Sequence, residues 1–347
     1  MTADSIYLDH AATTPLLPAA RAAMLGGFAI WANPSSPHRA GRAARAALED
    51  ARARLKTVLG WDGEVVFTSG ASEALALAIT RCVQPLAAAS AVEHEAVLRH
   101  AGTAERLGVD AAGLVDPAAC ARAGLVAVQQ VNNETGVIQP ISGLAAGVRA
   151  AGGVLLVDAA QAAGKLDFPD ADLIALSAHK FGGPIGVGAL LVRDWALLRP
   201  TGGQERGYRA GTENLPGVLA MVAALDADRG WLDETARLRA RLDGAIVAAG
   251  GTVVAAAAPR LPTIGAYRMP GKSANAQLIR FDAMGIAVSA GSACSSGSLR
   301  TSHVLAAMGV AGANEVIRVS LGRETTAADV DRFIAAWDEI SGGGAAT

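Results

Sequence analysis

The chain has 347 residues, of which 51% are hydrophobic and 18% charged, and its net charge is −2. This length and composition are typical of a globular protein with room for one large domain and a smaller one. The balanced charge argues against a nucleic-acid binder, which usually carries a basic excess. No apolar run is long enough to span a membrane, and the first ten residues do not resemble a signal peptide. We therefore expect a cytoplasmic protein with no membrane or nucleic-acid partner.

The three cysteines are Cys82, Cys120 and Cys294. They are too few and too scattered to predict a disulfide framework or a zinc site, so no metal site is expected. A reducing location is consistent with this count. Cys82 and Cys120 are expected to be small buried side chains.

The first predicted element of note is a helix around residues 39–58. It carries five arginines, which we interpret as a solvated face opposite an apolar one formed by Leu48, Ala51, Leu55 and Val58. Short apolar runs rich in branched residues then predict buried strands at 65–68, 125–131, 154–157, 173–176 and 189–192. Helical patterns follow at 72–80, 215–226 and 231–249. The remaining chain predicts strands at 252–257, 263–267, 287–289 and 316–320, and helices at 274–283 and 327–340.

Alternation of short strands with helices predicts an α/β fold with a mostly parallel sheet flanked by helices. We expect this large α/β domain to span residues 14–240. Residues 1–13 and 241–347 are expected to form a smaller α+β domain.

Polar residues follow two of the predicted strands where ligands bind in such a sheet. Asp158 ends one strand, and Lys180 follows the next in the segment Ser-Ala-His-Lys. By themselves they would normally indicate a salt bridge. A lysine in a partly dry pocket is also a nucleophile for an aldehyde, and a carboxylate keeps a pyridine nitrogen protonated, so the pair predicts a pyridoxal phosphate site. A strand–glycine–helix turn at 65–80 offers an anion site, or an ordinary helix cap by Ser72.

Further motifs extend this pattern over almost the whole chain. They are Tyr-Leu-Asp-His-Ala-Ala-Thr-Thr-Pro at 7–15, Asn-Pro-Ser-Ser at 33–36, Phe-Thr-Ser-Gly-Ala-Ser-Glu at 67–73, Glu-His-Glu-Ala-Val at 93–97, Val-Asn-Asn-Glu-Thr-Gly at 131–136, Asp-Ala-Ala-Gln at 158–161, Ser-Ala-His-Lys-Phe-Gly-Gly-Pro at 177–184, Gly-Gly-Gln-Glu-Arg-Gly-Tyr-Arg-Ala-Gly-Thr-Glu-Asn at 202–214, Ser-Ala-Gly-Ser-Ala-Cys at 289–294 and Ile-Arg-Val-Ser-Leu-Gly-Arg at 317–323. In this order the chain resembles the cysteine desulfurases, a branch of the class V aminotransferase family. The segment ending in Cys294 is the part that points to this branch.

The resemblance implies that the large domain binds pyridoxal 5'-phosphate and that the small domain carries the catalytic cysteine. Lys180 would form the Schiff base, Asp158 would pair with the pyridine nitrogen, and His94 would stack on the ring and serve as an acid or base. The other implied cofactor ligands are Ala71, Ser72, Asn133, Gln161, Ser177, His179 and, reaching the partner subunit's phosphate in a homodimer, Thr212. Asn133 and Arg318 would bind the substrate carboxylate.

The resemblance also implies a reaction in which L-cysteine becomes L-alanine and its sulfur passes to Cys294 as a persulfide. A sulfur-acceptor protein would then take it, for iron–sulfur cluster assembly or for thiolation. Cys294 lies in a run of small and polar residues, which favours a loop over a buried position. A selenocysteine lyase or a cysteine sulfinate desulfinase on the same scaffold is the nearest alternative. A class V aminotransferase without desulfurase activity and a non-catalytic sulfur-relay protein are more distant ones.

Several assigned residues also have ordinary structural explanations. His94 is equally consistent with a core or an exposed histidine, Asn133 with a turn cap, and Gln161 with a polar residue in an alanine-rich helix. Two positions depart from the family pattern. Ser72 stands in place of the usual threonine and keeps the hydroxyl, whereas His10 stands where many relatives carry asparagine.

Overall fold

The computed structural model describes residues 5–291 and 301–342. Its helices are α1 Pro18–Phe28, α2 Arg39–Leu59, α3 Ala71–Arg81, α4 Glu95–Leu98, α5 Pro117–Cys120, α6 Ile141–Ala150, α7 Leu215–Leu225, α8 Trp231–Ala248, α9 Ala274–Ala283, α10 His303–Ala307 and α11 Ala327–Ser341. Its strands are β1 Ile6–Tyr7, β2 Glu64–Thr68, β3 Leu86–Ser90, β4 Glu105–Leu107, β5 Gly124–Gln129, β6 Gly153–Asp158, β7 Leu173–Ser177, β8 Gly188–Val192, β9 Thr252–Val253, β10 Ile264–Arg268, β11 Ile286–Ala287 and β12 Val316–Ser320.

The centre of the fold is a seven-stranded sheet in the order β2-β8-β7-β6-β5-β3-β4. Only β8 runs antiparallel to its neighbours β2 and β7 in this sheet. The strands predicted from apolar runs are present, and their residues are buried because helices cover both faces of the sheet. The predicted α/β class with a mostly parallel sheet is therefore confirmed.

This region differs from the sequence expectation in several details, among them the unpredicted strand β4 and the end of β5 at Gln129 instead of residue 131. Strand β3 was not predicted, because its sequence Leu-Ala-Ala-Ala-Ser lacks the branched residues typical of strands. The arginines of α2 do not all lie on a solvated face, since Arg52 is buried. Its guanidinium forms two hydrogen bonds with the buried carboxylate of Glu205, at 2.9 and 3.0 Å. The apolar face of α2 is present as expected, with Leu48 and Leu55 fully buried.

The N-terminal segment joins strands from the C-terminal part of the chain. Strand β1 pairs in parallel with β11, and β12, β10 and β9 form a three-stranded antiparallel sheet. A bridge between Asp9 and Ser320 connects the two groups of strands. Helices α8, α9 and α11 pack on them around a core that contains Phe281, Phe333 and Trp337. The division of the chain near residues 14 and 240 stays a prediction.

Two of the four predicted C-terminal strands are shorter than expected, while β12 has the predicted bounds and β10 is shifted by one residue. The predicted strand at 252–257 ends at Val253, because Ala255 adopts a left-handed backbone conformation with φ 54° and turns the chain. The strand predicted at 287–289 is β11, one residue earlier, while Ser289 forms an isolated bridge with Arg318. Within residues 5–291 and 301–342, no helix has the length and hydropathy needed to cross a membrane.

Candidate active site

A cavity of about 430 Å³ opens where the parallel strands β5, β6 and β7 end. Pairing between β5 and β6 places Gln129 beside Asp158, and Ser177 ends the next strand. This volume is in the usual range for a small-molecule site. Nine of the residues predicted to hold or react with a cofactor line the cavity: Ala71, Ser72, His94, Asn133, Asp158, Gln161, Ser177, His179 and Lys180.

Lys180 reaches this cavity from the turn that follows β7. Its Nζ donates hydrogen bonds to the carbonyl oxygens of Ala11 and Ala12, at 2.7 and 2.9 Å. Burial, and then the positive charge of Arg318, lower the pKa of Lys180 to about 8. A larger fraction of this amine is therefore neutral near physiological pH than for an ordinary lysine, as a nucleophile requires.

Asp158 and His94 approach the same cavity from different elements. Asp158 is buried at the end of β6, where its Oδ1 accepts the backbone N–H of Ala160 at 2.9 Å. His94 caps α4, and its Nδ1 accepts the N–H of Ala96 at 3.1 Å. The proton of a neutral His94 ring therefore lies on Nε2. Burial lowers the pKa of His94, which favours that neutral form.

The N-terminus of α3 also borders the cavity, which Ala71 and Ser72 line. Gly70 precedes the helix with φ 153°, a conformation that favours glycine, and it has no side chain to cap the first N–H groups of Ala71 and Ser72. The Ser177 hydroxyl lies near this turn, 3.5 Å from the position that a Cβ on Gly70 would occupy. Free N–H groups, a helix end and a hydroxyl form a site suited to a phosphate.

Gln161 and His179 line the same cavity. The Nε2 of Gln161 donates to Ala11 O at 2.9 Å, and its buried Oε1 has no partner among the described residues. Such an acceptor suits a ligand hydroxyl. His179 Nδ1 lies 3.1 Å from Thr13 Oγ1, and burial lowers the pKa of His179 to about 4.

Arg318 lies on β12, next to the cavity, and is not part of its lining. Its Nη1 donates to the carbonyl of Asn133 at 2.9 Å, and its Nη2 pairs with Asp9 Oδ1 at 2.8 Å. The buried Nε has no partner among the described residues. Arg318 therefore retains a donor for an anion and touches a residue that lines the cavity.

Besides Arg318, one further described residue predicted for the site does not line this cavity. Thr212 is exposed and does not line it within one copy of the chain. Cys294 lies outside the described residues, although Gly291 and Thr301 on either side of that gap are described.

Sequence reasoning missed the contributions of the chain's first residues to the site. The carbonyls of Ala11 and Ala12 bind Lys180, and Asp9 holds Arg318. All three belong to a quoted motif, but the backbone carbonyls of Ala11 and Ala12 leave no trace in side-chain identity. The partner of the Asp9 carboxylate lies 309 residues away in the chain. Glu93 was missed as well: it is fully buried and accepts the N–H of Gln129 at 2.7 Å.

Comparison with known proteins agrees with this geometry. The family described as Aminotransferase class-V matches residues 6–333. The chain is 39% identical to a cysteine desulfurase of Gluconacetobacter diazotrophicus, over 95% of this chain and 92% of the relative, and 38% identical to one of Cereibacter sphaeroides, over 95% and 94%. A NifS-like protein from Rickettsia africae has a similar structure, with a TM-score of 0.89 at 29% identity over 97% of this chain and 99% of the other. The chain therefore belongs to the class V aminotransferase family, in the branch that contains the cysteine desulfurases.

Proposed function

We propose that this protein is a pyridoxal 5'-phosphate-dependent cysteine desulfurase that transfers the sulfur of L-cysteine to Cys294. The observation that carries the proposal is the cavity that Lys180, Asp158 and the N-terminus of α3 line together. Curated relatives with about the same length as this chain carry the name cysteine desulfurase.

The side chains of the cavity fit pyridoxal phosphate. The N–H groups of Ala71 and Ser72, with the hydroxyl of Ser177, suit the phosphate, and Asp158 suits the pyridine nitrogen. The unpartnered oxygen of Gln161 suits the ring hydroxyl, and the ring of His94 lines the same cavity for stacking. When bound, this cofactor withdraws electrons from the α-carbon of an attached amino acid.

The chain's own residues then have distinct tasks. Arg318 binds the carboxylate of cysteine together with Asn133, since a guanidinium forms paired hydrogen bonds with a carboxylate. Lys180 moves the α-proton, because its lowered pKa places it near the operating pH. His94, neutral with its proton on Nε2, exchanges a proton with the sulfur of the substrate or of Cys294.

Sulfur transfer requires the thiolate of Cys294 to attack the sulfur of the substrate. A sulfur–sulfur bond forms while the carbon–sulfur bond of the substrate breaks, and the electron pair of that bond stays with the carbon, which is protonated. The balance is L-cysteine plus one thiol to L-alanine plus one persulfide, without an external oxidant. A sulfur-acceptor protein then takes the outer sulfur, and the acceptors that we propose belong to iron–sulfur cluster assembly or thiolation.

We also propose a homodimer in the cytoplasm. Thr212 is exposed in a single copy, so it is available to the phosphate site of a second copy. Cys82 and Cys120 are both free thiols, in keeping with a reducing compartment.

Two substitutions test the proposal. Lys180→Ala should abolish the visible absorption band of the lysine-bound cofactor, and Cys294→Ala should keep this band but produce no alanine from cysteine. Wild-type protein with cysteine and a reductant should release alanine and sulfide in equal amounts. An unchanged band in Lys180→Ala contradicts the cofactor assignment, and full alanine production by Cys294→Ala points to a lyase that does not form a persulfide.

A further inference from the structure

Glu134 is a buried carboxyl group without a role in the scheme above. It belongs to the 131–136 motif, directly after Asn133, and only 4% of its surface is exposed. The side chain of Asn132 fixes its backbone, since Glu134 N donates to Asn132 Oδ1 at 2.9 Å. A buried carboxyl group is costly unless it has partners, so its contacts indicate what the position is for.

The carboxyl group of Glu134 lies between the two described ends of the chain around the segment bearing Cys294: Gly291 before that segment, and Ser302, which follows Thr301, after it. Ser302 Oγ donates to Glu134 Oε2 at 2.5 Å and in turn accepts the N–H of Leu305, which caps α10. On the other side, a Cβ placed on Gly291 would lie 1.9 Å from the same Oε2 and 3.4 Å from Ser302 Cβ. Gly291 and Ser302 therefore meet at one carboxylate oxygen, and only a glycine leaves room for it.

The short covalent link between Gly291 and Cys294 makes the contact of Gly291 with Glu134 relevant to the thiol. Cys294 is three residues beyond Gly291, and each residue adds at most about 3.8 Å between Cα atoms. A shift of Gly291 moves the whole volume that the thiol can reach.

The same stretch of backbone is also tied to the substrate end of the site. Arg318 Nη1 binds the carbonyl of Asn133, the residue before Glu134. Arg318 also exchanges backbone hydrogen bonds with Ser289, two residues before Gly291. Glu134 thus lies between the anchor of the thiol segment and the residue assigned to the substrate carboxylate.

We propose that Glu134 is a positioning residue that fixes Gly291 and Ser302 against each other and so sets the reach of Cys294 toward the substrate sulfur. This inference rests on the proposed function. It predicts that loss of Glu134 impairs the step that needs the thiol and spares the proton transfer that needs only Lys180.

The test compares these two steps in the holoenzyme. Glu134→Ala should lower kcat for alanine formation from cysteine by roughly tenfold to a hundredfold, the usual effect of a misplaced reacting group. Exchange of the α-proton of L-alanine in D₂O, followed by NMR, should stay within about twofold of wild type, because it requires no thiol. Glu134→Gln keeps the shape and an acceptor for Ser302, so it should retain more activity than Glu134→Ala.

A second pair of variants tests the contact itself. Gly291→Ala should impair cysteine turnover in the wild-type background, because its methyl group needs the space of Glu134 Oε2. In the Glu134→Ala background, Gly291→Ala should reduce cysteine turnover by a smaller factor, because the carboxyl group of Glu134 no longer occupies the space of the new methyl group. Glu315→Gln is the matched control: Glu315 pairs with Arg268 at 2.8 Å in the same part of the fold and is expected to leave both steps unchanged.

The outcomes separate this inference from the proposed function. An equal fall of both steps in Glu134→Ala, or no fall in either, overturns the positioning role. If Glu134→Ala does not fold, Ser302→Ala removes the same hydrogen bond and is judged by the same comparison. Wild-type protein that makes no alanine from cysteine, or does not exchange the α-proton, contradicts the proposed function instead.

Discussion

Asp9 and Arg318 form an ion pair of 2.8 Å although 309 residues separate them in the chain. Asp9 is partly exposed, with 22% of its side chain accessible, whereas Arg318 is nearly buried at 8%. The pair aims the guanidinium at the carbonyl of Asn133, beside the cavity. The substrate recognition proposed for Arg318 would therefore depend on a contact between distant parts of the chain.

Changes at this pair should act on substrate binding. Arg318→Lys keeps the charge but loses the planar fork, so kcat/KM for cysteine should fall at least tenfold, mainly through KM. Asp9→Asn keeps a hydrogen-bond acceptor and should have a smaller effect in the same direction. Steady-state kinetics of alanine release measure both. An effect on kcat alone in Arg318→Lys would contradict carboxylate binding by Arg318.

Capture of the cofactor should depend on pH through the amine of Lys180. The pKa of Lys180 is lowered to about 8, and only the neutral amine attacks an aldehyde. The capture rate of cofactor-free protein should therefore rise with pH and level off above about 8, well below the usual lysine value of about 10.4. Stopped-flow absorbance after mixing with pyridoxal phosphate measures this profile.

The variant Arg318→Leu checks the electrostatic part of that prediction. Removal of its positive charge should raise the pKa of Lys180 and move the plateau to higher pH. A wild-type rate that keeps rising to pH 10 would show that Lys180 behaves as an ordinary surface amine.

The two described cysteines should be inert in the native protein. Both are buried, and burial raises the pKa of Cys82 and raises that of Cys120 to about 11. At pH 8 few of these thiols are ionised, and a thiol reagent has no access to them. The Cys294→Ala variant should therefore show no rapidly labelled thiol by mass spectrometry, and two after unfolding in guanidinium. Native labelling of Cys82 or Cys120 would contradict their burial.

The buried pair of Arg52 and Glu205 should be important for stability. Glu205 Oε2 also accepts the N–H of Phe67, so this carboxylate holds residues 205–207 against β2. Removal of one partner leaves the other charge buried without a counter-charge. Arg52→Met should therefore lower the free energy of unfolding by about 3–5 kcal/mol. Guanidinium unfolding measures the loss.

A double-mutant cycle distinguishes the pair from general packing. The double variant Arg52→Met/Glu205→Gln should lose clearly less free energy of unfolding than the two single variants together, because neither charge is then buried without its partner. Arg237→Met is the control, since its partner Glu234 is exposed and such pairs contribute at most about 1 kcal/mol. Strictly additive losses would contradict a coupled pair.

How much the sequence predicts depends on whether the information is local. Strands β6 and β7 were predicted because burial on both faces requires an unbroken apolar run, and their ends located Asp158 and Lys180. Arg52 was assigned to a solvated face because its partner, Glu205, lies 153 residues away. The closeness of Gly291 to Glu134 is equally invisible in the sequence, since it depends on how two distant segments pack. Residue identities were thus enough to predict the chemistry of the site. The contacts that support the site could be identified only in the folded structure.

Strand β1 and the residues that follow it also have a consequence for protein synthesis. Ile6 and Tyr7 pair with β11, and Asp9 and Ala11 contact Ser320, so the positions of these residues are not fixed until the ribosome has extended the chain as far as Ser320. Until then the amine of Lys180 lacks the carbonyls of Ala11 and Ala12. We therefore expect the nascent polypeptide to hold the cofactor poorly, so that loading with the vitamin-derived aldehyde follows the completion of translation.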